Sequence, residues 1–298
     1  MTHSLRPATR SFHWMSSVRG DPSVLQSLHD AMISFYAEDD NRESYQEMLD
    51  GIEEDPEHDS STNRLARYLA ERRPNTVLEV GCGNGRLFRT LRRAGCEASY
   101  TGVEVAQHIV ARNRHRHPDA SWHTAGAYNL PADDAGVDIA FAEFVLEHLV
   151  FPVRGLTEML RVVRPGGHLV LVFPDFVCAG RLGSQILGLS PLRTVSEALQ
   201  RGHILDGLIS MYDSRVRLPR ALGNAQADIG PFPVNVRPAC LTYPDFMFPD
   251  VDAVYIASKQ EVRDWAEAQG HEVTFPAGTI WPYDETAFLA IRKTDSKR

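Results

Sequence analysis

The segment 76–87, with the sequence TVLEVGCGNGRL, joins an apolar strand to a helix through a turn that carries few side chains. Gly81, Gly83 and Gly85 permit positive φ angles and the close approach of a ligand to the backbone. The helix that follows presents free N–H groups and the positive end of its dipole. The turn is therefore expected to bind a polar, nucleotide-like cofactor.

The spacing of the glycines indicates which kind of cofactor. The dinucleotide fingerprint G-x-G-x-x-G needs glycine at position 86, where this chain has Arg86. Glu79 stands inside the strand, where a carboxylate would repel a pyrophosphate but could anchor a cationic amino-acid group through the loop. The segment 79–85 resembles motif I, E/D-x-G-x-G-x-G, of the class I S-adenosylmethionine (SAM) dependent methyltransferases and matches every fixed position.

Further motifs follow in chain order. The segment 98–104 reads as a second strand ending in Glu104, and a carboxylate there can accept two hydrogen bonds from a ribose diol. Segment 126–131, GAYNLP, resembles the family's adenine-side loop, and segment 160–172 resembles its helix, L-x-P-G-G turn and fifth strand. The resemblance covers residues 70–175 and implies SAM as the cofactor. The predicted cofactor-binding residues are Glu79, Gly81, Gly83, Gly85, Glu104, Val105, Ala127, Tyr128 and Glu143.

Strands alternate with helices from residue 76 to residue 173, which predicts right-handed crossovers and a parallel sheet. The resemblance implies an α/β, Rossmann-like methyltransferase sheet that is mostly parallel with a closing antiparallel strand. We expect four regions. They are an N-terminal helical segment covering the site (1–70), the SAM-binding core (71–175), a large substrate cap inserted after the fifth strand (176–256), and a C-terminal helix and strand pair completing the core (257–298).

Local patterns predict the flanking elements. Apolar residues at helical spacing after Asp21 and Pro22 predict an amphipathic helix, and a second helix is expected to begin at Ser60 or Ser61. The proline-rich insertion is expected to contain helices only around 194–200 and 203–211. Ser258 and Glu261 form a predicted capping box, and segments 271–275 and 287–292 are candidates for the closing strand pair.

Two side chains near the fourth strand are candidate catalytic residues. A base is needed only if the acceptor must lose a proton. His148 follows that strand at the carboxyl edge of the sheet, and its ordinary pKa suits proton transfer; the alternative is that it packs against a helix start. Glu143 would lie near the transferred methyl group, and a capping or loop-bonding role is the alternative.

The insertion carries the candidate substrate-binding residues His203, Tyr243 and Asp245. Other polar groups of the same region that could meet a substrate are Asp206, Tyr212, Asp213, Asp250, Asp252 and Tyr255. The acids lack the spacing of a cation site. The four cysteines lack the C-x-x-C spacing of a zinc site, so no metal is predicted.

The composition of the chain limits which binding partners and which cellular location can be expected. The chain has 298 residues and a formal net charge of −8, which disfavours nucleic acid and anionic membranes as partners. No apolar run is long enough to span a bilayer and no secretory leader is recognisable, so a cytoplasmic location is expected. A homodimer is compatible with this composition, and the sequence does not fix the oligomeric state.

The leading functional hypothesis is SAM-dependent methyl transfer to O, N or C of a small molecule such as a sugar or secondary-metabolite intermediate. Two alternatives keep the fold and change the activity. In one, the site catalyses a non-methylating elimination or cyclisation, because the function of a fold depends on its site. In the other, the chain is a non-catalytic subunit that supports a partner.

Overall fold

The computed structural model describes residues 12–37, 58–180, 195–242, 250–276 and 286–294. Their strands are β1 Trp14–Ser16, β2 Thr76–Val80, β3 Ser99–Glu104, β4 Ser121–Thr124, β5 Val137–Glu143, β6 Val163–Pro174, β7 Pro233–Asn235, β8 Glu272–Thr274 and β9 Thr286–Arg292. Their α-helices are α1 Pro22–Ala37, α2 Ser61–Glu71, α3 Arg86–Arg93, α4 Gln107–Arg116, α5 Pro152–Val162, α6 Phe176–Ala179, α7 Val195–Gln200, α8 Ile204–Tyr212, α9 Leu218–Ile229, α10 Ala239–Thr242 and α11 Lys259–Ala268.

Seven strands form the central sheet in the order β4-β3-β2-β5-β6-β9-β8. Strands β2 to β6 pair in parallel, and β9 runs antiparallel to both β6 and β8. The predicted Rossmann-like sheet with its closing antiparallel strand is therefore confirmed. The strand order reverses between β2 and β5, and open α/β sheets bind ligands at the carboxyl edge of such a switch point.

Both faces of the sheet are buried, as expected for parallel strands covered by helices. Side chains alternate between two hydrophobic clusters along the strands. Leu78 and Ala140 point into one cluster, whereas Val77, Ile139 and Phe141 point into the other. The near-continuous apolar sequence of β2, β5 and β6 is explained by this two-sided burial, which fixes the register because a one-residue shift would exchange the two faces.

A second, two-stranded sheet joins the N-terminal segment to the insertion. Strand β1 pairs antiparallel with β7, with Trp14 opposite Asn235. Ser17 N also donates a hydrogen bond to Phe232 O at 3.0 Å. The sequence did not predict this sheet, because each strand is only three residues long and its partner lies far away in the chain.

The prediction of only two helices in the insertion is wrong. A turn of π-helix, Asp213–Arg217, connects α8 to the unpredicted helix α9. Pro219 lies in the first turn of α9, where a missing N–H is tolerated, so this proline does not break the helix. None of the described helices has the length and apolarity needed to cross a membrane.

The insertion packs directly on the sheet. Leu222, Phe232 and Tyr255 belong to the same buried cluster as Leu171 and Phe173 of β6. Phe176 N, at the start of the insertion, donates at 3.0 Å to the O atom of Ala257, the first residue after the insertion. The two ends of the insertion are therefore closed against each other, and its role as a substrate cap stays a prediction.

Helix α11 begins at the predicted position without the predicted capping box. Ser258 makes no side-chain cap hydrogen bond. The Glu261 carboxylate instead accepts hydrogen bonds from Phe232 N and Tyr255 Oη, both at 2.8 Å. Glu261 therefore connects α11 to the insertion, and the capping-box motif was a coincidence of residue types at a true helix start.

Candidate active site

A cavity of about 600 Å³ opens at the carboxyl edge of the sheet. The glycine turn, the ends of β3 and β5, the loop after β4, helix α1 and the segment 250–252 line it. The lining residues are His29, Met32, Ile33, Tyr36, Glu79–Asn84, Arg86, Leu87, Val103–Val105, Ala125–Tyr128, Glu143–Val145, Glu147–Leu149 and Asp250–Asp252. All nine predicted cofactor-binding residues except Gly85, and both candidate catalytic residues, are in this set.

The glycine turn has the backbone that its sequence predicts. The φ angles of Gly81, Gly83 and Gly85 are 71°, 47° and 75°. Gly81 N donates to Val103 O at 2.8 Å, which holds the turn against β3. A Cβ atom on Gly81 would lie 2.3 Å from Val145 Cγ2. The turn thus leaves bare backbone at the cavity wall and has no room for a side chain at its first glycine.

Glu104 stabilises this turn through its carboxylate. The side chain is 5% exposed and accepts hydrogen bonds from Gly83 N at 3.1 Å, Val105 N at 2.8 Å and Ala106 N at 3.1 Å. Burial raises the pKa of Glu104, and the three N–H donors oppose that rise. A carboxylate offers about four acceptor positions, so the predicted ribose contact is still compatible with these bonds.

Glu79 lies deeper in the cavity wall. It is 3% exposed and accepts a hydrogen bond from the hydroxyl of Tyr100 on β3. Burial raises the pKa of Glu79 well above its usual range, although Tyr100 opposes this. A bound cation would favour the ionised form, so the predicted contact with an ammonium group would shift this pKa downward.

Glu143 at the end of β5 joins three elements. Its carboxylate accepts hydrogen bonds from the hydroxyls of Ser61 and Thr62 at 3.0 and 2.9 Å and from Arg86 Nη2 at 3.2 Å. The Glu143 side chain is only 4% exposed. These bonds occupy the carboxylate, so the geometry favours a role in positioning α2 and α3 over proton transfer.

Phe144 follows Glu143 in a strained conformation. Its φ angle is 54°, a left-handed value that costs a non-glycine residue free energy. Phe144 N donates to Val172 O at 2.8 Å, which fixes the backbone, and the side chain is 37% exposed at the cavity. Strain of this kind concentrates at ligand sites, and no sequence signal marked this residue.

His148 lies between two carboxyl groups. His148 Nε2 is 3.7 Å from Glu147 Oε1, and His148 Nδ1 is 3.6 Å from Asp252 Oδ2. Tyr36 Oη of helix α1 donates to the same Asp252 oxygen at 2.8 Å. Glu147 is 1% exposed, and its Oε2 has no hydrogen-bond partner among the described residues. The arrangement can hold or pass a proton at the cavity wall.

The electrostatics of this group favour a charged imidazole. Burial alone would lower the pKa of His148, but the carboxylates of Asp252 and Glu147 outweigh it and raise the pKa above 6.5. Burial raises the pKa of Glu147 to about 8, and His148 opposes that rise. His148 accepts a proton only in its neutral form, so transfer that depends on it should increase as the pH rises through this raised pKa.

Replacing Asp252 with asparagine is expected to lower the pKa of His148, because the largest charge that favours the imidazolium is removed. The pKa is measured by following the His148 ring C–H signals in a pH titration by NMR. Asp264→Asn, on the exposed side of α11, is the matched control and should leave the titration unchanged. An unaltered His148 pKa in Asp252→Asn would contradict the assignment of Asp252 as its principal charge partner.

The remaining predicted residues differ in their placement. Tyr128 Oη accepts a hydrogen bond from Phe151 N at 3.1 Å, and burial raises the pKa of Tyr128 to about 12. His203 is not among the residues that line the cavity; it is exposed, and its Nδ1 lies 3.9 Å from Asp206 Oδ2. Tyr243 and Asp245 lie outside the described residues. The insertion residues at the cavity are instead Asp250, Val251 and Asp252.

Several lining residues were not predicted. His29, Met32, Ile33 and Tyr36 come from α1; an N-terminal helical segment was expected to cover the site, but these side chains were not singled out as site residues. Arg86 was notable in the sequence only because it occupies the position where the dinucleotide fingerprint requires glycine. Its ion pair with Glu143 was not predicted. No group of three or more His, Cys, Asp or Glu side chains in the described ranges has the arrangement of a metal site.

The chain is similar in sequence to known methyltransferases. Residues 78–171 match the family described as "Methyltransferase domain". An uncharacterized 37.1 kDa transposon protein of Streptomyces fradiae is 33% identical over 112 residues, which are 36% of this chain and 32% of that protein. The phthiotriol/phenolphthiotriol dimycocerosates methyltransferase 1 of Mycobacterium ulcerans is 30% identical over 171 residues, which are 56% of this chain and 62% of that protein. The chain thus spans less than two thirds of either relative.

A solved structure shares the fold across most of the chain. It is the Burkholderia thailandensis 1,6-didemethyltoxoflavin-N1-methyltransferase, with bound 1,6-didemethyltoxoflavin and S-adenosylhomocysteine (SAH). The TM-score is 0.50 at 14% identity, covering 91% of this chain and 90% of that one. At this identity the likeness concerns the fold alone.

Proposed function

We propose that residues 78–171, which match the methyltransferase domain family, form a class I SAM-dependent core and that the protein transfers the methyl group of SAM to a small-molecule acceptor. One observation carries the proposal. Bare backbone at Gly81 and Gly83, the Glu104 carboxylate and the loop at Ala127 face one cavity at the switch point of the sheet.

The residues present suit the cofactor. Glu104, at the end of β3, would accept hydrogen bonds from a ribose diol, and Glu79 and the free backbone of the turn would bind the amino-acid end. Ala127 and Tyr128 would border the adenine. When bound, SAM supplies a sulfonium-activated methyl group. The chain's own contribution is to orient the acceptor and exclude water, which can lower the barrier by about 7–11 kcal/mol.

The acceptor is proposed to bind between α1 and segment 250–252. Met32 and Ile33 offer an apolar wall there, and Tyr36, His148 and Asp252 offer polar groups. His148 is the proposed base, using Asp252 and Glu147 to hold the proton. The acidic cavity lining favours a discrete metabolite over a nucleic acid as the acceptor. The acceptor atom that would attack the methyl group is O, N or C.

The relatives widen the range of acceptors worth testing. One is by name a phthiotriol/phenolphthiotriol dimycocerosates methyltransferase, and the structural neighbour holds bound 1,6-didemethyltoxoflavin. We therefore include lipophilic alcohols, heteroaromatic amines and sugar or secondary-metabolite intermediates among the candidates. A cytoplasmic site of action belongs to this proposal.

The proposal is tested in two steps on the full chain. Isothermal titration of the wild-type protein with SAH is expected to show one binding site. If no binding is detected, the cofactor assignment is refuted. Incubation with methyl-labelled SAM and an acceptor panel is then followed by mass spectrometry. A product that carries the label supports methyl transfer, whereas turnover of an acceptor without incorporated label would show that the site catalyses different chemistry.

A further inference from the structure

Helix α8 exposes apolar side chains along its whole length. The exposed fractions are 63% for Ile204, 75% for Leu205, 49% for Leu208, 36% for Ile209, 37% for Met211 and 55% for Tyr212. Among the α8 residues whose burial is described, only Gly207 is buried. Isolated exposed apolar residues are ordinary on a protein surface, but a contiguous patch marks an interaction site.

Helix α7 covers only one side of this helix. Gly207 faces Leu199 of α7, and a Cβ atom on Gly207 would lie 2.8 Å from Leu199 Cδ2. Leu199 itself is still 48% exposed. The close contact at Gly207 therefore joins the two helices and leaves the other apolar side chains of α8 between 36% and 75% exposed. We call α7, α8 and the arginines named next the α7–α8 surface.

Exposed cations flank the apolar residues. Arg201 precedes α8, and Arg215 and Arg220 follow it. None of these three arginines forms an ion pair with another described residue. Arg217, by contrast, pairs with the buried Asp213. The chain carries a net charge of −8, yet on this surface the three arginines outnumber the acids of α7 and α8, which are Glu197 and Asp206.

We propose that the α7–α8 surface docks on an anionic lipid bilayer. Apolar side chains of a surface helix enter the boundary between headgroups and acyl chains, and arginines beside them extend toward the lipid phosphates. Polybasic segments gain further attraction from the negative surface potential of such membranes. Tyr212, at the end of α8, has the amphipathic ring that favours this boundary. This inference does not depend on the proposed methyl transfer.

The three flanking arginines argue against a second copy of the chain as the occupant. A two-fold interface brings the same patch of both subunits together. That arrangement would bring the three arginines of each copy together with only two acids from each copy's α7 and α8, Glu197 and Asp206, so positive charge would be in excess on both sides. The expectation that no membrane partner exists used the net charge of the whole chain, which does not describe the charge on one face.

The test uses vesicle sedimentation with the full chain. Vesicles of phosphatidylcholine alone are compared with vesicles of equal parts phosphatidylcholine and phosphatidylglycerol. We expect at least about tenfold tighter binding to the anionic vesicles at low ionic strength, weakened by added salt because surface charges are screened. Leu205→Asp/Leu208→Asp should abolish sedimentation, and Arg201→Glu/Arg215→Glu should remove the preference for anionic lipid.

Val18→Asp is the matched control, because Val18 is a 56% exposed apolar residue outside this surface, and it should bind vesicles like the wild type. All variants should retain wild-type SAH affinity, which shows that they are folded and separates this test from that of the methyltransferase proposal. The inference is overturned if the wild type does not sediment with anionic vesicles or if Leu205→Asp/Leu208→Asp sediments equally. It is also overturned if light scattering finds a dimer that this double variant dissociates, since a second copy would then occupy the surface.

Discussion

Replacing Glu104 with glutamine is expected to weaken SAH binding by about 10- to 100-fold, because hydrogen bonds to a charged group contribute about 1.5–3 kcal/mol each. In the native protein one carboxylate oxygen accepts from Val105 N and Ala106 N, and the other accepts from Gly83 N. The amide has only one acceptor oxygen, so its NH₂ group would face a backbone donor. The substitution is therefore expected to disrupt both the conformation of the glycine turn and the position at which the ribose would bind.

The matched control is Glu97→Gln, because Glu97 is an exposed acid just before the same strand. It should leave the titration unchanged. Isothermal titration with SAH gives the affinities, and circular dichroism at the same temperature establishes that each variant is folded. A folded Glu104→Gln protein with wild-type affinity would mean that Glu104 neither shapes the turn nor contacts the cofactor.

The core of the fold was predictable because its signals are local. Two-sided burial makes β2, β5 and β6 nearly continuous in apolar residues, and the glycine turn has one short conformation that its sequence favours. Glu104 also follows from local information, since it ends the next strand in the chain. These features place the cofactor side of the site within the segment from residue 76 to residue 143.

The acceptor side was not predictable, because its contacts join distant parts of the chain. The hydrogen bond from Tyr36 to Asp252 spans 216 residues, and neither residue has a neighbour in sequence that indicates the other. Strands β1 and β7 present the same problem. Pro219 and Glu261 were misinterpreted for a different reason. Proline can break a helix or lie in its first turn, and glutamate can cap a helix or be buried in a hydrogen-bond network. The residue type alone does not distinguish these roles.

Placing alanine at Gly81 is expected to destabilise the protein by about 2–5 kcal/mol. A left-handed conformation costs a non-glycine residue about 1–2 kcal/mol, and forcing extra atoms into a packed site costs about 1–3 kcal/mol. Both terms apply here, because the φ angle of Gly81 is 71° and its added Cβ would lie 2.3 Å from Val145 Cγ2. Urea denaturation measures the free energy of unfolding.

A second glycine separates these two terms. Gly95 has a φ angle of 79°, and a Cβ atom added to it would meet no heavy atom within 4 Å, so Gly95→Ala should show only the conformational cost of about 1–2 kcal/mol. Adding Val145→Ala to Gly81→Ala removes the clashing methyl groups, and a double-mutant cycle with Val145→Ala alone isolates the recovered part. Two results would contradict this prediction: Gly81→Ala lowers the free energy of unfolding no more than Gly95→Ala does, or the cycle shows no coupling. Either result would mean that the turn accommodates a side chain at position 81. The close contact at Val145 would then not be what keeps the backbone of Gly81 bare at the cavity wall.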